Sequence, residues 1–128
     1  MTQKMKKLWL DDRRQHPDGW VRAYTAPEAI KLLSSEYFDE VSLDHDLGAC
    51  TNCTRAAGWD MQPAECSHNG NGHQVIDWIE EQAFLNDEFR IPIVNIHTDN
   101  GARRVTMALA QRSIDRIRNN RENRNKCT

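Results

Sequence analysis

The sequence has no long hydrophobic run. Nowhere do the roughly 18 apolar residues occur that a bilayer-crossing helix needs, so no membrane role is expected. It has no surplus of one charge either. A net charge of −2 with 28% charged residues excludes a globally basic nucleic-acid binder, though not a local basic patch. The lysines near the start are followed by no apolar stretch, so a secretory signal is not expected. Cysteine is scarce: three of the four cluster in the middle and the fourth, Cys127, stands next to the end. Without an export signal, these are expected to be reduced thiols of a cytoplasmic protein, with disulfides the lesser alternative. There are no internal repeats. At 128 residues the chain suits one domain, 1–128, with room for a real core.

What is present is a set of short apolar stretches that end in acid or imidazole. Lys7-Leu8-Trp9-Leu10 reads as a strand running into Asp11-Asp12. Pro17 and Asp18-Gly19 mark a loop, and Trp20 to Tyr24 alternates as a second strand. Thr25 is a plausible N-cap, with Pro27 early in the helix, Glu28 three residues on, and Ala29, Ile30, Leu32 and Leu33 as its buried face. Asp39 to Leu43 is a third strand and opens into Asp44-His45-Asp46-Leu47-Gly48. Residues 49–72 break the pattern and read as an insertion. A helical face resumes from His73 with Val75, Ile76, Ile79 and Ala83, Trp78 and Phe84 standing at its margin. A fourth strand, Ile91 to Ile96, ends in His97-Thr98-Asp99-Asn100. A last helix runs from Gly101 to about Arg118 on a stripe of Met107, Ala110, Ile114 and Ile117, with Val105 and Leu109 off it and fraying expected from Asn119. Strands alternating with helices predict an α/β fold with a parallel, helix-covered sheet of about four strands. In such sheets ligands bind at the carboxyl ends of the strands. Three strands releasing acid or imidazole there predict one shared site.

These motifs resemble a known family. Leu10-Asp11-Asp12 and Asp39-x-Val41-x-Leu43-Asp44-x-x-Leu47-Gly48 are similar to the acidic pair and phosphoacceptor strand of receiver domains. More narrowly, Trp9-Leu10-Asp11-Asp12-Arg13, Pro17-x-Gly19-Trp20, Thr25-Ala26-x-Glu28-Ala29-Ile30, Ser42-Leu43-Asp44-His45-Asp46-Leu47-Gly48 and Ile96-His97-Thr98-x-Asn100 resemble the cyclic-phosphate processing receiver-like domains. The resemblance covers residues 7–48 and 73–110. It implies a receiver-like sheet in the order 2-1-3-4 and a role at cyclic phosphates, such as the 2′,3′-cyclic ends of RNA. Two departures from an ordinary receiver stand out. The Pro17–Gly19 loop replaces the first crossover helix, and no fifth strand brings a phosphate-contacting lysine, which argues against phosphorelay signalling.

With that frame, the residues take expected roles. Asp11, Asp12 and Asp44, with Asp46 less securely, suit a hard divalent cation such as Mg²⁺ or Mn²⁺. His45 and His97 suit a proton-transfer pair for opening a cyclic phosphate, beside Asp44. Arg13, Thr98 and Asn100 are candidate phosphate contacts, although Asn100 equally suits a helix cap and Arg13 and Arg14 a solvated surface. Cys50-x-x-Cys53 with Cys66 and a histidine has the character of a structural zinc site. His68 is the preferred fourth ligand and His73 the alternative. Arg103, Arg104, Arg112, Arg116, Arg118, Arg121, Arg124 and Lys126 face only Asp115 and Glu122, a local basic excess that suits either nucleic-acid contact or a solvated helix face. The expected function is a phosphodiesterase acting on a cyclic-phosphate RNA end or a cyclic (oligo)nucleotide. The rivals are a degenerate receiver that binds a phosphate ligand or protein partner without turnover, and a zinc-dependent accessory protein that contacts nucleic acid.

Overall fold

In a computed structural model, which describes residues 5–58 and 65–126 (side chains to Arg124), the four apolar stretches form one parallel sheet. β1 is Lys7–Leu10, β2 Val21–Ala23, β3 Glu40–Leu43 and β4 Ile93–Ile96, in the spatial order β2-β1-β3-β4 that the sequence suggests. The register aligns like with like: Leu8 lies beside Val21 and Val41, and Leu10 beside Ala23 and Leu43. β3, flanked on both sides, buries Val41, Ser42 and Leu43 in succession, as a central strand covered on both faces must.

Four helices accompany this sheet, α1 Ala26–Ser35, α2 Thr51–Ala57, α3 Gly72–Leu85 and α4 Gly101–Lys126; α1, α3 and α4 pack on the strands, while α2 buries none of its residues. Leu8, Leu10, Phe38, Val41, Leu43, Val75, Ile76, Ile79, Met107 and Ile114 are buried together between strands and helices. Each such side chain contributes about 1.5–3 kcal/mol relative to exposure. Thr25 caps α1 as expected, its hydroxyl accepting from the Glu28 amide. Asn71 and Gln74 form a reciprocal capping box on α3, so the helix begins at Gly72, one residue before the His73 that the sequence suggests. Of the two aromatics set at the margin of α3, Trp78 packs edge-on against Phe89 while Phe84 is 76% exposed. Val105 and Leu109 stand exposed off the stripe of α4, as their spacing predicts.

Two boundaries need correcting. β4 starts at Ile93 rather than Ile91. The last helix does not fray from Asn119 but continues to Lys126. The reason is tertiary: the Arg121 guanidinium donates to the carbonyls of Ala83, Asn86 and Phe89, capping the end of α3, and Arg118 donates to the Pro92 carbonyl and to Asp115. Part of the basic surplus therefore serves the fold, while Arg103, Arg104, Arg112 and Arg116 remain exposed. Among the described residues there is no fifth strand; β4 leads through His97–Asn100 directly into α4. Nor is any helix of the described residues long and apolar enough to cross a membrane. Cys127 lies outside the described residues.

Candidate functional site at the carboxyl ends of the strands

β1 and β3 end side by side because Leu8 and Leu10 share their core with Val41 and Leu43. Asp11, Asp12 and Asp44 consequently emerge together, each offering a carboxylate oxygen within 4.8 Å of the others. They floor a cavity of about 510 Å³ whose lining also includes Arg13, Arg14, Asp46, Gly48, Thr98 and Asn100. Among the predicted phosphate contacts, Arg13 lines this cavity. Arg14, which the sequence left with the solvated residues, lines it too, held by the His97 carbonyl and the Asp99 carboxylate.

The three carboxylates are not equivalent. Asp11 is 1% exposed. Burial alone would raise its pKa, but the amides of Arg13 and Arg14 donate to Oδ1 at 2.9 and 3.0 Å and His97 Nε2 to Oδ2 at 3.0 Å, and together they hold it below its ordinary value. Burial, with the Asp11 charge beside it, pushes Asp44 up to about 6. Asp12 is raised for the same two reasons. Crowded carboxylates of this kind repel one another until a cation lies between them. The donor set, all hard oxygen, fits Mg²⁺ or Mn²⁺.

The histidines do not stand in the cavity. His97 stacks flat on Trp9, ring centroids 3.9 Å apart and planes 8° from parallel. Its Nδ1 lies 2.7 Å from Ser42 Oγ and its Nε2 binds Asp11. A carboxylate can only accept, so Nε2 carries the proton and Nδ1 accepts from the serine hydroxyl. Burial lowers the His97 pKa, despite the hydrogen bond to Asp11 and its attraction, and so favours the neutral ring. His45 is buried as well, its Nδ1 donating to Asp46 Oδ1 at 2.7 Å. It borders a separate hollow with Glu65, Asn71, His73 and Arg103. Neither imidazole lines this cavity; each touches it through a carboxylate that does, His97 through Asp11 and His45 through Asp46.

Thr98 and Asn100 are likewise committed. The buried Thr98 hydroxyl donates to Asp44 and accepts from the Asn100 amide at 3.2 Å. The Asn100 side chain caps α4 by accepting from the Arg103 amide, and its Nδ2 approaches Asp46 at 3.4 Å. Asp46 is therefore held below its ordinary pKa: burial works against it, but His45 and Asn100 outweigh burial. No strand carries it there, since β3 ends at Leu43; a bridge between Asp46 and Asn71 places it instead. That junction is tight. The Gly72 amide donates to the His45 carbonyl, and a Cβ on Gly72 would lie 1.7 Å from the Asp44 carbonyl oxygen.

Beside the cavity, Cys50, Cys53, Cys66 and His68 bring four donor atoms within 4.8 Å of one another. His68 Nδ1 lies 3.6 Å from Cys50 Sγ and 3.4 Å from Cys53 Sγ. A tetrahedral zinc with ordinary bond lengths sets sulfur and nitrogen about 3.6 Å apart. The group thus has the composition and spacing to hold zinc. His73, the alternative ligand, pairs with Asp77 instead. The three thiols are unpaired by disulfide. Burial would raise Cys66, yet the amides of Cys50, Asn69 and His68 aimed at its sulfur hold it near a pKa of about 6, close to the thiolate a metal requires.

No curated protein and no solved structure matches the chain. A family description does, over residues 6–113, a span that takes in the sheet, the acidic cavity, the insertion and the first half of α4. With four parallel strands in receiver order, acids at their carboxyl ends and no fifth strand, the chain belongs to the cyclic-phosphate processing receiver domain family.

Proposed function

We propose that this domain is a phosphodiesterase that opens a cyclic phosphate, a 2′,3′-cyclic RNA end or a cyclic (oligo)nucleotide. The observation that carries the proposal is the convergence of Asp11, Asp12 and Asp44 with Arg13 on one cavity, in a chain of this family. Asp11, Asp12 and Asp44 would hold Mg²⁺ or Mn²⁺, which when bound supplies positive charge against the phosphate oxygens. Arg13 lies exposed at the rim and is assigned to the phosphate. Arg14 supports it while tying the loop after β1 to the loop after β4.

His97 and His45 are assigned as positioning residues. His97 fixes the orientation of Asp11 as outer partners of metal-binding carboxylates do, and His45 with Asn100 fixes Asp46. Thr98 does the same for Asp44. Direct proton transfer by His97 would require it to leave its present hydrogen bonds, since both its ring nitrogens are engaged, whereas His45 is held through Nδ1 alone. The Cys50, Cys53, Cys66 and His68 group is assigned a structural zinc ion, since α2 buries no residue and has no core of its own. The exposed Arg103, Arg104, Arg112 and Arg116 on α4 are available to an RNA backbone.

The test is turnover of a labelled 2′,3′-cyclic phosphate oligonucleotide and of a cyclic nucleotide by the pure protein, with Mg²⁺ and with chelator. Metal-dependent ring opening that Asp12→Asn abolishes is the expected result. Tight binding without turnover would instead favour the rival, a phosphate-binding module, to which the engagement of both His97 ring nitrogens already lends support.

A further inference from the structure

The zinc knuckle and the acidic cavity are not separate features of the fold. Gly48, Ala49 and Thr54 line the cavity alongside Asp12 and Asp44. Ala49 adjoins the ligand Cys50, and Thr54 adjoins the ligand Cys53. The Thr54 amide donates to the Cys50 carbonyl at 2.9 Å, so this threonine is anchored between two of the four donors. Gly48, on the same segment, has a positive φ of +66°, and a Cβ there would come within 3.0 Å of Asp12 Oδ2. The far side of the insertion is tied to the same segment. Gly48 bridges Glu65, Asn69 Nδ2 donates to the Gly48 carbonyl at 3.2 Å, and the Cys50 amide points at Cys66 Sγ at 3.2 Å. What the four donors hold together is therefore one wall of the ligand cavity.

We propose that metal occupancy of the Cys50, Cys53, Cys66 and His68 group controls phosphate binding in the acidic cavity, and that Thr54 is a ligand-contacting residue carried on that wall. Among the described residues, Thr54 is the cavity-lining hydroxyl other than Thr98, and Thr98 is already spent on Asp44. α2 buries none of its residues, so nothing in the core fixes Thr54 when the donors are not drawn together. A coupling between two sites is reciprocal: phosphate in the cavity then tightens the hold of the knuckle on its metal. The inference rests on the zinc and phosphate assignments above, and it gives a zinc site of structural character a part in ligand binding.

The experiment uses the full chain, inorganic phosphate and Mn²⁺, with no cyclic substrate, so a failure of cyclic-phosphate turnover leaves it untouched. Phosphate affinity in the presence of Mn²⁺ is measured by calorimetry on protein as purified, on zinc-stripped protein and on protein reloaded with zinc. Stripping should weaken phosphate by about tenfold or more, within the usual range of coupling between sites, and reloading should restore it. Amide exchange in β1 and β3 verifies that the sheet persists. Thr54→Val, with one zinc per chain and an unchanged thermal transition, should weaken phosphate by about threefold to tenfold, the loss of one hydrogen bond. Unchanged affinity in Thr54→Val overturns the contact even where stripping unfolds the chain. Full affinity in stripped protein with an intact sheet overturns the control by metal. Absence of any phosphate binding to the loaded, unmodified protein overturns both.

Discussion

The acidic cavity and the cysteine knuckle lie side by side, yet they are held in place by opposite means. Asp11 and Asp44 are placed by the strands that precede them, and those strands are fixed by Leu8, Leu10, Val41 and Leu43, all without solvent exposure. The carboxylates repel one another, and the core bears that repulsion. Around Cys50, Cys53, Cys66 and His68 the position is reversed. No apolar residue of α2 is buried, and what draws the segment together is the donor set itself. One site is organised by its core and carries its carboxylate repulsion within it. The other has little besides a donor set whose composition and spacing could hold zinc. The difference teaches that donor atoms can be gathered by a scaffold packed beforehand, or in a segment with so little core that metal binding and folding would be coupled.

The sharpest way to break this comparison is chelation. Removing zinc should abolish amide protection over 50–57 and 65–70 while β1, β3 and α3 keep theirs, because apparent zinc binding free energies of about 10–16 kcal/mol in small metal-folded modules dwarf anything this insert buries. Hydrogen exchange followed by mass spectrometry reads it directly; an insert that stays protected after chelation would show that it folds unaided.

Next in size is an injury to the packed scaffold. In Gly72→Ala the new methyl group meets the backbone of β3's end at Asp44, so unfolding stability should fall by about 3 kcal/mol in a denaturant melt. Zinc content should stay at one per chain. A variant as stable as the parent would mean that the junction between β3 and α3 yields easily.

Asp44→Asn should separate strain from function. Mn²⁺ affinity is expected to fall by about 100-fold, beyond the effect of losing an outer partner, while the metal-free protein becomes more stable because a repelled charge is gone. The same physics sets a pH dependence. The Asp44 pKa is raised when folded, so its ionisation destabilises the metal-free fold as pH rises from about 3.8 towards about 6. Asp11 and Asp46 have the opposite sign: their lowered values stabilise the fold above the ordinary carboxylate range and are lost on acidification. The rise in Tm caused by Mn²⁺ should therefore be full above about pH 6 and shrink below it. A Mn²⁺ effect independent of pH would exclude Asp44 as a ligand.

The smallest expected effect tests the histidine roles. His97→Ala should weaken Mn²⁺ by about tenfold, since it frees Asp11 Oδ2 from its donor. A proton-transfer role for His97 predicts the contrary pattern, unchanged Mn²⁺ affinity with turnover lost. Electron paramagnetic resonance titration of Mn²⁺ distinguishes the two.

Much of this protein is legible one residue at a time. The alternation of Leu8 and Leu10, the Thr25 cap with Glu28, the face of Val75, Ile76 and Ile79, and the spacing of Cys50, Cys53 and Cys66 are local patterns, and local patterns determine local structure. Taken with the receiver resemblance, which implies the sheet order, and with the few topologies that right-handed crossovers leave open, they also lead to the meeting of Asp11, Asp12 and Asp44. What a histidine faces is another matter. His45 and His97 have the same type and the same place at a strand end whether they meet a ligand or a neighbouring carboxylate, and only packing against Trp9, Ser42 and Asp46 decided it. The extension of α4 was decided in the same way, by Arg121 reaching three carbonyls more than thirty residues away in the chain. So was the entry of Thr54 into the cavity, which no periodicity marks. Sequence by itself determines what each short segment prefers, because those preferences arise from neighbours a few bonds away. Which polar group satisfies which is decided only when distant segments close on one another, because a buried hydrogen bond takes whatever partner the fold brings within about 3 Å.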